Sequence, residues 1–294
     1  MTDKKQEMSN GFHSPEQEPP GLTDAMVPRP DHGEHTYEGH HRLDGMRALI
    51  TGGDSGIGRA VAIAFAREGA AGVAINYLPE EQPDAEETAT WVRNAGAMPV
   101  LVPGDLRDPE TCGQVVESAV NELGGLDILV NNAGFHYTKG TSGTIEGLQA
   151  DTVERVFQTN IEAVLWLTHA ALPHLKEGSS IINTSSIQSY EPSGHLLDYA
   201  ATKAGINSIT VNLAGQLGPK GIRVNAVAPG PIWTPLQPAT RSPEELESFG
   251  KQAPLGRAGQ PAEVAPAYVF LASPRDASYV SGSILGVTGG EATF

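Results

Sequence analysis

The sequence has a single cysteine and little positive charge. Cys112 is the only cysteine among 294 residues, which excludes an intrachain disulfide and a metal site built from several cysteines. Lysine and arginine total 19 residues against 35 aspartates and glutamates, for a formal net charge of -16. This charge opposes attraction to nucleic acid or anionic lipid, so we expect no nucleic-acid partner. No apolar run approaches the roughly 18 residues of a membrane span. We therefore expect a cytoplasmic protein without a membrane partner.

Residues 1–44 differ in composition from the rest of the chain. The segment is polar, shows no helical or strand periodicity and carries five prolines, namely Pro15, Pro19, Pro20, Pro28 and Pro30. It is either a disordered tail or an extended strap that packs on the body or on a neighbouring subunit. In the second case the candidate anchors are Phe12, Met26, Val27 and Tyr37. Its histidines have no cysteine or carboxylate at a recognised ligand spacing, so we expect no metal site.

Residues 45–294 alternate short apolar runs with longer amphipathic stretches, which is typical of successive βαβ units. The pattern predicts strands at 46–50, 72–77, 100–102, 127–131, 180–184, 223–227 and 283–287. It predicts helices at 57–68, 84–95, 109–123, 152–172, 199–217 and near 262–271. The expected fold is therefore α/β, a single doubly wound Rossmann-type domain with a seven-stranded parallel sheet, preceded by an irregular N-terminal arm.

A glycine-rich turn links the first predicted strand to the first predicted helix, in the sequence Thr51-Gly52-Gly53-Asp54-Ser55-Gly56-Ile57-Gly58. Backbone amides and a helix N-terminus can approach a pyrophosphate there only where side chains are absent. We expect Gly52 to form the turn, Gly56 to admit the pyrophosphate and Gly58 to let the helix pack against the sheet. The sequence therefore predicts a dinucleotide site.

Tyr199 and Lys203 lie one helical turn apart, so a fixed ammonium could lower the pKa of the phenol. A Tyr-x-x-x-Lys pair alone is weak evidence. Together with Ser186 and the Thr-Gly-x-x-x-Gly-x-Gly spacing, it resembles the short-chain dehydrogenase/reductase family. The glycine loop, the turn Asn76-Tyr77-Leu78-Pro79 and the long polar N-terminus resemble a branch of bacterial general-stress-type oxidoreductases.

The resemblance implies an NAD(P)-dependent oxidoreductase that transfers a hydride between a nicotinamide cofactor and a small carbonyl or alcohol substrate (aldehyde, ketone, sugar or polyol). Tyr199 would be the general acid and base, Lys203 would hold the nicotinamide ribose, and Ser186 would hydrogen-bond the substrate oxygen. Asn160 matches the asparagine that the family uses to kink a helix and to bind a water beside the lysine, which would complete a catalytic tetrad. The resemblance also implies a homotetramer formed through helices 152–172 and 199–217, and Ile161 and residues 164–167 supply an apolar surface for it.

The cofactor contacts implied by the resemblance follow the predicted strands. They are Gly52, Asp54, Ser55, Gly56, Ile57, Gly58, Asp105, Leu106, Asn132, Ala133, Gly134, Tyr199, Lys203, Pro229, Gly230, Ile232 and Thr234. Asp105 could instead be an ordinary turn or N-cap aspartate.

The choice between NAD and NADP has no standard discriminator in this sequence. The segment Asn76-Tyr77-Leu78 places neither an acid nor an arginine at the end of the second strand. Asp54, Glu80 and Glu81 are negative and would repel a 2′-phosphate, which favours NAD.

Substrate contacts are the least defined part of the prediction. The expected contacts are Gln188, Tyr190 and Trp233, and Phe135, His136 and His195 are further candidates. Residues 235–252 resemble a mobile lid. Two alternatives remain, an epimerase or dehydratase of the extended relatives and a non-catalytic nucleotide-sensing regulator with the same fold. The first would need a further substrate domain, and the second typically lacks the tyrosine or the lysine.

Overall fold

A computed structural model describes residues 11–293 of the chain. Seven strands form one all-parallel sheet in the order β3-β2-β1-β4-β5-β6-β7. The strands are β1 (Arg47–Thr51), β2 (Gly72–Tyr77), β3 (Met98–Pro103), β4 (Ile128–Asn131), β5 (Ser180–Thr184), β6 (Arg223–Pro229) and β7 (Ile284–Val287). The predicted doubly wound α/β sheet is confirmed, and the predicted strand ends differ from these by at most two residues.

Nine α-helices connect or flank the strands within residues 11–293. They are α1 (Gly56–Arg67), α2 (Gln82–Asn94), α3 (Pro109–Leu123), α4 (Ala150–Phe157), α5 (Ala163–Ala171), α6 (Leu197–Leu217), α7 (Leu236–Thr240), α8 (Pro243–Ser248) and α9 (Pro261–Ala272). None of the helices in this range is long and apolar enough to cross a membrane.

The single helix predicted over 152–172 is interrupted in the structure. A π-helical turn, Gln158–Glu162, separates α4 from α5. The buried Asn160 lies in this turn, and its amide both accepts a hydrogen bond from the Phe135 amide at 2.8 Å and donates one to the Phe135 carbonyl at 2.9 Å. Periodicity could not reveal the turn, because its apolar pattern continues on either side.

The sheet is covered on both faces. Ala48 and Ile50 of β1 pack into a core with α1 and α9, whereas Leu49 points to the other face and packs with α3 and α5. Alternate strand residues therefore supply two separate cores, as expected of a buried parallel sheet. Ligands can reach such a sheet only at the ends of its strands.

The described part of the N-terminal arm, residues 11–44, packs on the body of the same chain. Phe12 and Met26 are buried in a small cluster with Trp233, Leu246 and Phe249. Of the candidate anchors, Val27 is instead 56% exposed. The arm residues 11–44 thus form a strap on this body, and residues 1–10 lie outside the described residues.

Polar contacts fix the arm at two further places. The fully buried Glu68 at the end of α1 accepts hydrogen bonds from Tyr37 Oη and Arg42 Nη2, each at 2.6 Å. Burial opposes ionisation of this carboxyl, but these hydrogen bonds prevail and lower its pKa to about 2. Thr23 donates through both its amide and its hydroxyl to Asp84 of α2, at 2.9 and 3.0 Å.

Candidate active site

A cavity of about 260 Å³ opens at the carboxyl ends of the strands. β1 and β4 are neighbours in the sheet, and the strand order reverses between them. Strands β2 and β3 lie on the side of β1, and β5 to β7 lie on the side of β4. Such a switch point is where open α/β sheets bind their ligands. Residues from the loops after β1 to β6 line the cavity.

The glycine turn forms one wall of this cavity. Gly52 and Gly56 have φ values of +58° and +49°, a region that residues with side chains rarely adopt. A Cβ atom on Gly58 would lie 1.9 Å from the Gly52 carbonyl oxygen, so α1 packs directly against the turn. Asn132 holds the turn in place by donating to the Thr51 and Gly52 carbonyls, each at 3.0 Å. This bare backbone at a helix N-terminus fits a dinucleotide pyrophosphate.

Two acidic side chains, Asp54 and Glu81, line the same cavity beyond the glycine turn. Asp54 is 1% exposed, and its Oδ2 atom has no hydrogen-bond partner among residues 11–293. Burial raises the pKa of Asp54, and the charge of Asp84 adds to this shift. Burial likewise raises the pKa of Glu81, reinforced by the charge of Asp54. An unpaired buried carboxyl at a cavity wall fits a ligand that donates hydrogen bonds, such as a ribose.

Asp105 lies at the far end of the cavity, after β3. Its carboxylate accepts a hydrogen bond from Arg107 Nε at 2.9 Å, and this bond lowers the pKa of Asp105. Arg107 and Arg155 also line the cavity. The structure therefore adds two cations to a wall for which the sequence predicted only the aspartate.

Tyr199, Ser186 and Lys203 converge at the inner end of the cavity. Ser186 lies beside the Tyr199 phenol and lowers its pKa. Lys203 donates to the Thr184 carbonyl oxygen at 2.7 Å, and its Nζ atom lies 5.4 Å from the centroid of the Tyr199 ring. Burial lowers the pKa of Lys203 to about 8. All three side chains thus line the same end of the cavity.

The expectation that Lys203 lowers the pKa of Tyr199 is not met by this geometry. Burial raises the pKa of the phenol above its ordinary value. Ser186 and the positive charge of Arg241 lower it, but by less than burial raises it. Lys203 donates a hydrogen bond to the Thr184 carbonyl, and its charge is not among the causes of the shift of the phenol pKa.

Asn160 lies behind these residues rather than in the cavity. Besides its two bonds to Phe135, its amide donates to Thr202 Oγ1 on α6 at 3.0 Å. Asn160 therefore ties the π-helical turn to the helix that carries Tyr199 and Lys203.

A second cavity, of about 170 Å³, adjoins the first. The two cavities share Ser186, Tyr199, Gly230 and Gln237 in their walls. Gln188 and His136 line the second cavity, and Phe135 lines the first. This arrangement places Tyr199 between a nucleotide-sized space and a smaller one.

The structure corrects two substrate predictions. Trp233 lines neither cavity, because its ring is fully buried under Phe12, with ring centroids 3.8 Å apart, and its Nε1 donates to the Pro28 carbonyl at 2.7 Å. Tyr190 also lies outside both cavities, at the end of a short 3₁₀ turn. His195 is an exposed residue outside both cavities.

Most of the predicted cofactor contacts do line the first cavity. The two that do not are Gly58, which packs against Gly52, and the buried Ile232, which pairs with Gly259. Sequence reasoning missed Pro19 and Pro20, which line this cavity from the arm, whereas Leu236 and Gln237 of α7 belong to the segment 235–252 that was expected to cover the pocket. No local signal marks the prolines, since only tertiary packing brings the arm there.

Comparisons with known proteins agree with this geometry. A short-chain dehydrogenase family model, described as enoyl-(acyl carrier protein) reductase, matches residues 52–291. General stress protein 39 of Bacillus subtilis is 49% identical over 92% of this chain and 93% of its own length. Chloroplastic NADPH-dependent aldehyde reductase 1 of Arabidopsis thaliana is 48% identical, covering 92% of this chain and 94% of the relative. Glucose and ribitol dehydrogenase of Daucus carota is 46% identical over 96% of this chain and 98% of its own.

A solved structure extends the agreement to the fold. The short-chain dehydrogenase of Burkholderia cenocepacia J2315, in complex with NADP, superposes with a TM-score of 0.78 and 33% identity. The match covers 85% of this chain and 99% of that one. The chain therefore belongs to the short-chain dehydrogenase/reductase family of NAD(P)-dependent oxidoreductases.

Proposed function

We propose that the protein transfers a hydride between a nicotinamide cofactor and a small carbonyl or alcohol substrate (aldehyde, ketone, sugar or polyol), with Tyr199 as general acid and base. The observation that carries this proposal is the position of Tyr199 and Ser186 in the shared wall of the two cavities. A dinucleotide in the larger cavity and a substrate in the smaller one would meet at these hydroxyls. The names of the aldehyde reductase and of the glucose and ribitol dehydrogenase support the same reaction class.

The chain's own residues supply the proton chemistry. When bound, the cofactor supplies or accepts the hydride. In the direction of reduction, Tyr199 gives its phenolic proton to the carbonyl oxygen, and solvent later returns a proton to the phenolate. Ser186 donates a hydrogen bond to the same oxygen, which stabilises the negative charge that develops there. Lys203 would hold the nicotinamide ribose, and Asn160 positions the helix that carries both Tyr199 and Lys203.

The pKa of Tyr199 bears on the pH dependence of the reaction. At neutral pH the phenol keeps its proton, so it is ready to act as an acid in carbonyl reduction. Alcohol oxidation requires the phenolate and therefore improves as the pH rises.

Replacement of Tyr199 by phenylalanine tests the proposal. We expect Tyr199→Phe to lower kcat by at least about a hundredfold with little change in cofactor affinity, because it removes the proton donor and keeps the ring. Tyr190→Phe is the matched control, since Tyr190 lines neither cavity. Turnover of Tyr199→Phe close to that of Tyr190→Phe would contradict the mechanism.

We further propose that NAD(H) binds more tightly than NADP(H). Asp54 carries an unpaired buried carboxyl oxygen and Glu81 lines the same cavity, so a 2′-phosphate there would meet two carboxyl groups, and its charge would be repelled as they ionise. A ribose hydroxyl could instead donate to the Asp54 oxygen. Calorimetric titration with both cofactors tests this proposal. The aldehyde reductase is named as NADPH-dependent and the Burkholderia structure contains NADP, so these two relatives favour the opposite result. Tighter NADP(H) binding would show that these acids do not face the 2′ position.

We also propose a homotetramer. Leu165 and Trp166 on α5 are 42% and 43% exposed, and Val211 on α6 is 55% exposed. These apolar side chains extend the outer surfaces of the two helices that the family resemblance assigns to subunit contacts. Their burial between subunits would account for an apolar face that the isolated chain leaves open.

A further inference from the structure

The second cavity contains polar groups that the chain itself does not pair. The Oε2 atom of Glu291 and the Nδ1 atom of His136 are buried, and no group of residues 11–293 hydrogen-bonds either of them. Both residues line the cavity beside Tyr199. Because buried polar atoms in folded proteins are paired in the large majority of cases, two orphaned atoms at one cavity wall point to a ligand.

Hydrogen-bond donors lie in the same walls. Arg241 uses Nε to donate to Gln237 Oε1 at 2.9 Å, and its guanidinium lies 5.3 Å from the ring centroid of Phe249. It forms no ion pair with a carboxylate in the described part of the chain. Gln188 accepts from the Ser193 amide at 2.7 Å through Oε1, which leaves its NH₂ group for a ligand.

His136 contributes a neutral ring to this set. Burial, together with the positive charges of Arg241 and Lys203, lowers its pKa to about 3. A neutral imidazole carries one donor and one acceptor nitrogen. Its ring meets the Tyr199 ring edge-on, with centroids 5.1 Å apart, so a group bound to His136 would lie beside the proposed proton donor.

We infer that this cavity binds a polyhydroxylated substrate, an open-chain sugar or its polyol, and that Glu291 and His136 contact its hydroxyls. The inference rests on the proposed function and names the substrate class. Each hydroxyl both donates and accepts, so a chain of hydroxyls can satisfy the mixed donors and acceptors of these walls. An unsubstituted aldehyde would leave them unpaired, which a site built to bind hydroxyls penalises strongly.

The charges in the cavity disfavour an anionic substrate. Arg241 alone would suit a carboxylate or phosphate, but the Glu291 carboxyl lines the same cavity. The net charge of -16 adds a long-range repulsion for anions. A neutral polyhydroxylated chain meets neither obstacle.

A pair of substrates of equal chain length tests the inference. We would measure kcat/KM for D-erythrose and for butanal with saturating reduced cofactor. We expect erythrose to be favoured by at least about tenfold, and Glu291→Gln to lower the erythrose-to-butanal ratio by about tenfold, since a neutral amide replaces the stronger carboxylate acceptor. His136→Phe should lower the ratio in the same way. Glu122→Gln, at an exposed glutamate of α3, is the matched control and should leave the ratio unchanged.

The outcomes separate the inference from the proposed function. Equal efficiency with erythrose and butanal, or an unchanged ratio in Glu291→Gln, overturns the hydroxyl site while leaving the oxidoreductase intact. Preference for succinate semialdehyde over erythrose, lost in Arg241→Met, overturns it in favour of an anion site. Failure to reduce any of the three aldehydes overturns the hydroxyl site, whereas the oxidoreductase is overturned only if ketones and polyols also fail to turn over with either cofactor. Calorimetry of cofactor binding and melting temperatures verify that each variant is folded.

Discussion

Truncation of Phe12 should release the N-terminal arm from the body. The side chain is 1% exposed, lies parallel to the Trp233 ring at 3.8 Å and contacts Phe249 with centroids 6.2 Å apart. Its amide also donates to the Leu246 carbonyl at 3.2 Å. Phe12 therefore joins the arm to the loop after β6 and to α8.

The expected magnitude follows from the burial of Phe12. Replacing a buried phenylalanine by alanine costs about 3 to 5 kcal/mol, a range that includes the loss of ring contacts. Because the arm is a terminal segment packed on the outside of the body, we expect this loss of free energy to cause local opening of the arm rather than global unfolding. A loss of about 3 kcal/mol raises the open population by about a hundredfold. Since Pro19 and Pro20 line the larger cavity, the KM for cofactor should rise as well.

Hydrogen exchange measures this opening directly. The amides of Gln17 and Thr23 are hydrogen-bonded to Pro238 and Asp84, so their exchange reports arm detachment. In Phe12→Ala both should exchange about a hundredfold faster, and protease should cut the arm correspondingly faster. Val27→Ala, at a 56% exposed position of the same arm, should change exchange only slightly. Unchanged exchange and an unchanged KM in Phe12→Ala would refute the claim that this ring holds the arm.

Three other predictions concern pH, cofactor and assembly. The kcat/KM for carbonyl reduction should fall as the pH rises through about 8, because Lys203 then loses its proton while Tyr199 keeps its own. A flat pH profile to well above this pH would contradict the prediction. Leu78→Arg should shift preference toward NADP(H), since a guanidinium suits a phosphate, and unchanged relative Kd values in calorimetry would show that residue 78 does not reach the 2′ position. Deleting residues 1–41, of which 1–10 lie outside the described residues, should weaken the tetramer. Light scattering measures the oligomeric state, and a monomeric full-length protein would refute the assembly. An unchanged, equally heat-resistant tetramer after truncation would refute a role of the arm in the assembly.

Much of the fold followed from local patterns in the chain. Successive side chains of strand β1 (Arg47–Thr51) point to opposite faces of the sheet and enter different cores. The glycines that follow the strand occur where the turn and α1 are too close together to admit a side chain. The spacing of Tyr199 and Lys203 predicted a shared helical face, and both side chains line the same cavity. These features depend on residues close in sequence, which explains why the sequence alone could predict them.

Contacts between distant residues were decided by the tertiary structure. Trp233 sits at a strand end where a substrate contact was expected, yet Phe12, from the opposite end of the chain, covers it. Glu291 and His136 meet in one cavity although no motif links them. The phenol pKa also depends on burial rather than on its neighbour in the helix. The sequence thus determined the order of elements and the reactive residues, whereas long-range packing determined which side chains are covered, which remain unpaired and what they can bind, because desolvation depends on all the atoms around a group.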